Sequence, residues 1–431
     1  MQDASGYVGN PDREFAPATP EELTAILAEA NASSTPVTIA GSATGVTGGC
    51  CPESGWLVSM RHFDRVVIER WRALAGAAVT LRDLNTAAAR TGQFYAPDPT
   101  EWTASVGGSI ATNASGSRSF KYGSTRRHIL SLDVAFADGT RRHFRRGEAI
   151  DFEVPAIPLP NTTKNTAGYP LSPGMDWIDL IAGSEGTLAV ILEAELQLLP
   201  VPPVIAAAVL FFESDDDAFA SVEICRTEPS LRMLEYLDGN SLRLLGESAA
   251  AALIVESTSE EWLHSLDLPG LREDSWVAAT PQDRERFRAF RHSLPEKVND
   301  LVRRNGFQKL GSDFAVPLDR NREMLDHYHA ELSRHFPGQY VLFGHIGDAH
   351  LHANIVPATA EQDAAGRQLM LALADHAVSL GGTVSAEHGL GKRKANLLLR
   401  QFSTQSVESM LAVKRRLDPA NILGRGNLFP Q

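Results

Sequence analysis

The sequence predicts an α+β protein built as two domains, and three observations carry that expectation. At 431 residues the chain is longer than one hydrophobic core usually serves. In its second half short apolar strands are interspersed with longer helical stretches, the mixed order of an α+β fold. Prolines at 200, 202 and 203 break a strand pattern and a composition shift comes after them, which places a domain boundary near residue 201.

The first element is a helix. Thr19-Pro20 with Glu21 and Glu22 behind it marks a helix start, so "TPEELTAILAEANAS" (19–33) should be helical. "PVTIA" comes next as a short strand. "HILSLDVAFADGT" (128–140) alternates apolar and polar residues and ends in Asp-Gly, a strand entering a hairpin. "GTLAVILEAELQLLP" (186–200) reads as a second such strand. Beyond the boundary, "AAAVLFF" (206–212) is a strand and "DRERFRAFRHSLPEKVNDLVRRNG" (283–306) a helix. The chain has no internal repeat and no low-complexity segment.

Composition narrows the function. A hydrophobic content of 43% and a charged content of 22% are ordinary for a globular protein. No apolar run approaches the roughly 20 residues of a membrane span. The start, "MQDASGYVGNPDREF", shows neither a basic segment nor an apolar stretch, so a cytoplasmic location is expected, with peripheral attachment at the inner membrane as the alternative. A net charge of -13 argues against nucleic acid as a partner. The basic clusters "RRHFRRG" (141–147) and "GKRK" (391–394) read as solvated faces open to an anionic ligand. Cys50, Cys51 and Cys225 form no CxxC pattern and are expected to be reduced thiols.

The stretch "GHIGDAHLH" (344–352) packs three histidines into nine residues. A single histidine in an apolar strand is usually a hydrogen-bonded core residue. Here the flanks "YVLFG" and "LHANIVP" look like strands, and Gly347-Asp348 between them is a hairpin turn signal. A two-residue turn pairs His345 with His350 and Phe343 with His352, and puts all three imidazoles on one face. That arrangement suits a metal such as zinc, manganese or iron. "GGTVSAEHGLG" (381–391) adds Glu387, with His388 beside it. Adjacent strand residues point to opposite faces, so a shared site requires the backbone to leave strand geometry, which Gly389 eases. The alternative is a capping Glu387 and a surface His388 before a helix starting near Lys392.

Three loops of small residues lie in the first domain. "AGSATGVTGG" (40–49) comes after a strand but fits neither the GxGxxG nor the Walker A pattern. Its glycines and hydroxyls let backbone N–H groups approach a pyrophosphate, a flexible surface loop being the alternative. "APDPTEWTASVGGSIATNASGSRSFKYGS" (96–124) and "DLIAGSEGTLAVI" (179–191) are the other two, and three such loops in one domain suggest one large ligand.

In this order, "PVTIAGSATGVTGG", "PDP" with "VGGSIATNASG" and "KYGS", "GSEGTLAVI", "GHIGDAHLHANIVP", "GGTVSAEHGLG" and "LDPANIL" resemble the motifs of FAD-linked dehydrogenases of the vanillyl-alcohol oxidase superfamily. The branch most similar is the D-2-hydroxy-acid dehydrogenases, with D-lactate and D-2-hydroxyglutarate dehydrogenases and the glycolate oxidase flavin subunit. The resemblance spans residues 15–429. It implies a two-domain vanillyl-alcohol-oxidase-type FAD-binding fold with a ferredoxin-like-type α+β substrate (cap) domain. Residues 1–201 would be the FAD-binding domain of the p-cresol methylhydroxylase type, 202–385 the cap, and 386–431 a segment returning to the FAD domain.

By the same resemblance, Ala40, Gly41, Ser42, Ala43, Thr44, Gly45 and Gly48 would hold FAD in the first loop. Pro97, Asp98, Gly107, Gly108, Ala111, Thr112, Asn113, Gly116, Tyr122 and Gly123 would do so in the second. Gly183, Glu185, Gly186 and Ile191 would line the adenine end, with Asn427 from the C-terminal segment. The first loop offers no His or Tyr for a covalent link, so the flavin is expected to be non-covalent. His345, His352 and Glu387 match metal ligands, and His388 matches a general base. Arg291, Asn354 and Lys309 match substrate contacts, with Arg288 one helical turn before Arg291. His350 stands where the family more often has asparagine, and is expected behind the ligands. "GRGNLF" (424–429) replaces the usual proline-glycine-lysine ending.

The implied activity is oxidation of a D-2-hydroxy acid to the 2-oxo acid, with electrons passed to a quinone, cytochrome or electron-transferring flavoprotein. The alternatives are a flavin subunit without substrate chemistry of its own, and an alkylglycerone-phosphate-synthase-like transferase, whose active site carries a run of histidines where this chain has "AEHGLG". A metallohydrolase would leave the glycine loops idle. A homodimer or an oxidase complex is the expected assembly, an exposed strand edge in the cap being one surface for it.

Overall fold

Thr19 caps the first helix, Pro20–Ala32, its hydroxyl accepting the N–H of Glu22, as an N-cap side chain does. The computed structural model of the protein describes residues 1–430. Leu23, Leu27 and Ala30 of the first helix pack with Val37 and Val58, which come from the parallel strands Val37–Ala40 and Trp56–Ser59. Arg13–Phe15 completes a small three-stranded parallel sheet.

A five-stranded antiparallel sheet forms the rest of the first domain, ordered Val66–Glu69, Arg72–Gly76, Val190–Gln197, Ile129–Ala135, Arg141–Arg145. The hairpin expected after Asp138-Gly139 is present, with Val134 opposite Arg142. The strand read from Gly186 begins only at Val190, because Glu185 and Gly186 adopt φ values of 52° and 69° and turn the chain first.

The cap is an eight-stranded sheet in which all seven residues of Ala206–Phe212 are buried. Alternation divides it. Ala207, Val209 and Phe211 meet Phe287 and Leu294 of the long helix Pro281–Arg304. Ala208, Leu210 and Phe212 belong to the core shared with the helices Asp215–Arg226, Asn321–His335 and Ala360–Ser379. At the edges of this sheet lie Trp276–Val277 and Leu310–Gly311, two residues each. The cap edge expected as a dimer surface thus offers another chain only two-residue strands to pair with.

The C-terminal segment returns to the first domain. Val37 N–H donates to Ile422 O at 2.7 Å, Gly424 N–H to Val37 O at 2.9 Å, and the buried Lys414 ammonium to Thr187 O at 2.8 Å. The helix placed near Lys392 is also corrected. Residues 391–394 are turns, since Gly391 has φ 50°, and helical structure starts as a 3-10 turn at Ala395. Among the described residues no helix is long and apolar enough to cross a membrane.

Candidate active site between the two domains

The strands Tyr340–His345 and His350–Ile355 pair in the register the sequence implies, His345 opposite His350 and Phe343 opposite His352. The connection is longer than a two-residue turn. A 3-10 turn over Ile346–Asp348 leads into Ala349 at φ 51°, and the register survives because the loop still closes between His345 and His350. The three imidazoles share one face, with ring centroids 4.5 Å, 5.3 Å and 5.5 Å apart.

Glu387 stands among them. Its Oε1 is 3.2 Å from His345 Nε2 and 3.3 Å from His352 Nε2. Each ring turns Nδ1 the other way: His345 Nδ1 donates to the Glu235 carboxylate, and His352 Nδ1 donates to the Ser312 carbonyl at 3.2 Å. Acceptors behind Nδ1 orient both rings so that their Nε2 atoms face Glu387 Oε1, a donor set that could hold a metal ion. Ligand atoms of His345, His350, His352 and Glu387 all lie within 4.8 Å of one another.

The other oxygen of Glu387 faces the first domain. Oε2 accepts from Lys164 Nζ at 3.0 Å and from Ser115 Oγ at 3.1 Å. The Lys164 side chain is 1% exposed and also reaches Gly116 O at 3.3 Å and His350 Nδ1 at 3.5 Å. On its far side the His350 ring meets Asp313 Oδ1 at 3.1 Å, so His350 stands between Lys164 and Asp313. Asp313, fully buried, also accepts the backbone N–H of His388 at 2.9 Å and lies 3.5 Å from His388 Nδ1. The His388 ring stacks on His352, with its Nε2 3.7 Å from Glu387 Oε1. Glu387 is thus no helix cap.

These contacts set the electrostatics. Against burial, Lys164 first and then His345 hold the Glu387 carboxyl well below the usual carboxylate range. Burial works against the His345 imidazolium, but the adjacent Glu235 carboxylate prevails and its pKa rises to about 9. Burial takes His350 down to about 3 and His388 down to about 4. The His388 imidazole is therefore neutral at pH 7.

Of the three expected substrate contacts, Arg291 is bonded into this cluster. Arg291 Nε donates to Glu235 at 2.8 Å, which joins it to His345 through one carboxylate, and its Nη1 is buried without a partner. Asn354 lies opposite Gly311, which keeps its own strand close to the Asn354 amide. Lys309 also approaches Gly311, and burial, with Lys394 nearby, lowers its pKa to about 8. Arg288 lies over Trp102, 3.2 Å from the ring centroid.

Sequence reasoning missed Lys164, Glu235, Asp313 and Ser115. Glu235 carried a signal, a carboxylate inside the apolar strand "LRMLEYLD", since a buried charge needs a partner.

The glycine loops meet on the first-domain side. The backbone N–H groups of Ser42, Ala43, Thr44, Gly45 and Val46 donate to no protein group among the described residues, while Ala40 ends the strand before them. Gly41 packs against Ser105, just ahead of Gly107, Gly108, Ala111 and Thr112. Asn113, at φ 49°, accepts from Arg126 N–H, and Gly183 and Glu185 donate their N–H groups to Ile110 O and Ala111 O. Gly116 lies so close to Asp98 O, beside Pro97, that a Cβ would fall 1.9 Å from that oxygen. The free N–H groups of the first loop are donors that a dinucleotide phosphate could accept from. Other expected cofactor residues have protein partners of their own or are buried in the sheet. Tyr122, before Gly123, accepts from Arg232 through its hydroxyl, Ile191 is buried in the sheet, and Asn427 donates to Gly49 O and Glu185 O.

Comparison with known proteins agrees with this geometry. Residues 11–145 match the family described as "FAD binding domain", and residues 201–428 match "FAD linked oxidases, C-terminal domain". The chain belongs to the FAD-linked oxidase family. This family member is 32% identical to the D-lactate dehydrogenase of Archaeoglobus fulgidus, over 96% of its own length and 90% of the relative's. It is 29% identical to the glycolate oxidase subunit GlcD of Bacillus subtilis, over 98% and 90%. A solved alkyldihydroxyacetonephosphate synthase superposes with a TM-score of 0.68 at 15% identity, covering 95% of this chain and 75% of that one, which shows a shared fold. The fold is the two-domain vanillyl-alcohol-oxidase type, α+β in class.

Proposed function

We propose that this FAD-linked oxidase family member oxidises a D-2-hydroxy acid, of the D-lactate, glycolate or D-2-hydroxyglutarate kind, to its 2-oxo acid. It would do so with non-covalent FAD and a divalent metal (zinc, manganese or iron) held by His345, His352 and Glu387. The observation that carries the reading is the convergence of two Nε2 atoms and one carboxylate oxygen, each with its other side already engaged. When bound, FAD supplies a two-electron acceptor and the metal a Lewis acid that acidifies the substrate hydroxyl.

This chain's residues do the rest. The unpartnered Nη1 of Arg291 is a donor for the substrate carboxylate, and Asn354 and Lys309, which both approach Gly311, are further candidate contacts. His388, neutral at pH 7, takes the hydroxyl proton, and Asp313 behind it steadies the ring. Oxidation removes that proton together with a hydride from the α-carbon. Electrons then leave for a quinone, a cytochrome or an electron-transferring flavoprotein. The relative named as a glycolate oxidase subunit favours an oxidase complex as the setting. The transferase reading rests on the shared fold alone.

The test is the absorbance of the flavin in anaerobic protein as D- and L-2-hydroxy acids are added. Bleaching by a D-acid, lost on chelation and regained with a divalent metal, is the expected result. A yellow protein that no hydroxy acid bleaches would overturn the reading in favour of a flavin subunit or transferase.

A further inference from the structure

We propose that Glu185 is a positioning residue, whose carboxylate anchors the turn that carries Glu387 and His388. The inference rests on the reading that Glu387 and His388 serve the reaction.

Residues 387–393 have no regular structure of their own, and yet every backbone N–H in that run is captured by another segment. Asp313 accepts from Glu387 at 3.4 Å and from His388 at 2.9 Å, and Thr166 Oγ1 accepts from Gly389 at 3.2 Å. Glu185 takes the next two: Oε1 accepts from Leu390 and Oε2 from Gly391, both at 2.7 Å. Thr47 O in the first glycine loop accepts from Lys392 at 3.0 Å and from Arg393 at 3.1 Å. The cap side of the turn is thus held by Asp313, and the first-domain side by Thr166, Glu185 and Thr47.

Glu185 is placed for this role by its backbone. Its φ of 52° is a conformation that residues with a side chain rarely adopt, and it occurs between Gly183 at 87° and Gly186 at 69°. That twist directs the side chain into the cap-facing turn. Gly389 completes the fit, because a Cβ there would lie 2.8 Å from the Glu185 carboxyl carbon. Both carboxylate oxygens are therefore engaged by Leu390 and Gly391, while the Glu185 carbonyl accepts from Asn427. A cofactor lining this loop, the role implied by family resemblance, would have to share those oxygens with Leu390 and Gly391, whose bonds already orient the side chain toward the turn.

The experiment compares Glu185→Gln with the wild type as flavin-loaded protein, by amide hydrogen exchange, FAD affinity and steady-state kinetics. Glutamine has one acceptor oxygen for two N–H groups, so the amides of 389–391 should exchange about tenfold faster. FAD affinity should stay within about twofold, and kcat should fall about tenfold with little change in KM, the pattern of a displaced catalytic group. Gly389→Ala, which pushes on the same carboxylate, should reproduce the exchange and kcat changes. The two together should cost less than the sum, as coupled neighbours do. FAD lost from Glu185→Gln with exchange in the turn unchanged would overturn the proposal, as would wild-type exchange and kcat in both variants. If no hydroxy acid is oxidised, the functional reading fails, and exchange with FAD affinity still decides the role of Glu185.

Discussion

Lys164 Nζ stands 3.0 Å from Glu387 Oε2 and 3.6 Å from Asp348 Oδ2, so one ammonium from the first domain bridges a metal-ligand candidate and the tip of the histidine hairpin. The two carboxylates are held at the domain junction by a cation whose side chain is almost wholly shielded from solvent. Ser119 adds a hydroxyl to Asp348 from the same side, at 2.8 Å.

Lys164→Met would leave Asp348 and Glu387 buried without their shared counter-charge. Breaking a buried pair from one side typically costs about 3–5 kcal/mol, and denaturant unfolding of the metal-free flavoprotein should show a loss of that order. Adding Asp348→Asn should recover part of it, because one of the stranded charges is then removed. An unfolding midpoint unchanged in Lys164→Met would show that the ammonium is not holding the junction.

Metal affinity should depend on pH through His345. Its pKa of about 9, raised by Glu235 against the effect of burial, means that the metal-free site carries a proton at neutral pH. A ligating Nε2 must lose that proton, so affinity should rise with pH toward 9 by about tenfold per unit, with a proton released on binding. Glu235→Gln lowers the pKa and should flatten the dependence. The same variant should weaken the metal about 10- to 100-fold, because the ring loses its ionised partner. Titration with Zn2+ or Mn2+ in weak buffer reads both, and binding without proton release would contradict the assignment of His345.

How much of this was legible in the sequence depended on distance along the chain. The register of His345 against His350 could be read because Gly347-Asp348 fixes where the hairpin closes and strand alternation does the rest. Glu387 could be recognised as a carboxylate near imidazoles, but its turn could not. That turn's shape is imposed by Glu185 and Thr47, more than 200 and 300 positions away, rather than by a local propensity. Lys164 lies in "NTTKNTAGY", a polar stretch that reads as a solvated loop, and its burial is decided by Glu387, 223 positions on. The loop after Gly183 was legible as small residues, whereas the commitment of its one carboxylate to protein amides was not.

His388 should behave as a base that is ready well below neutrality. Burial lowers its pKa to about 4, so it is unprotonated across the neutral range, and kcat/KM should be flat from about pH 5 to 7 with an acid limb near 4. His388→Gln should lower kcat by about 10²- to 10⁴-fold while the flavin spectrum stays intact. Asp313→Asn removes a carboxylate that raises the His388 pKa, so the acid limb should move further down as kcat falls. An acid limb near 6.5 in the wild type, unmoved in Asp313→Asn, would exclude His388 as the titrating group.

Substrate binding should weaken on the alkaline side through Lys309. Its ammonium, lowered to about 8 by burial with Lys394 nearby, is protonated and attractive to a carboxylate below that pH, and neutral above it. The sign is therefore a KM that is constant to about pH 7 and rises through 8, opposite to the behaviour of an ordinary lysine, which keeps its charge to about 10.4. Lys309→Met should show the raised KM at all pH values and lose the dependence, whereas Lys309→Arg, charged throughout, should keep KM low beyond pH 9. A wild-type KM that rises through pH 8 equally in Lys309→Arg would transfer the effect to another group, Arg291 being excluded because a guanidinium does not titrate there.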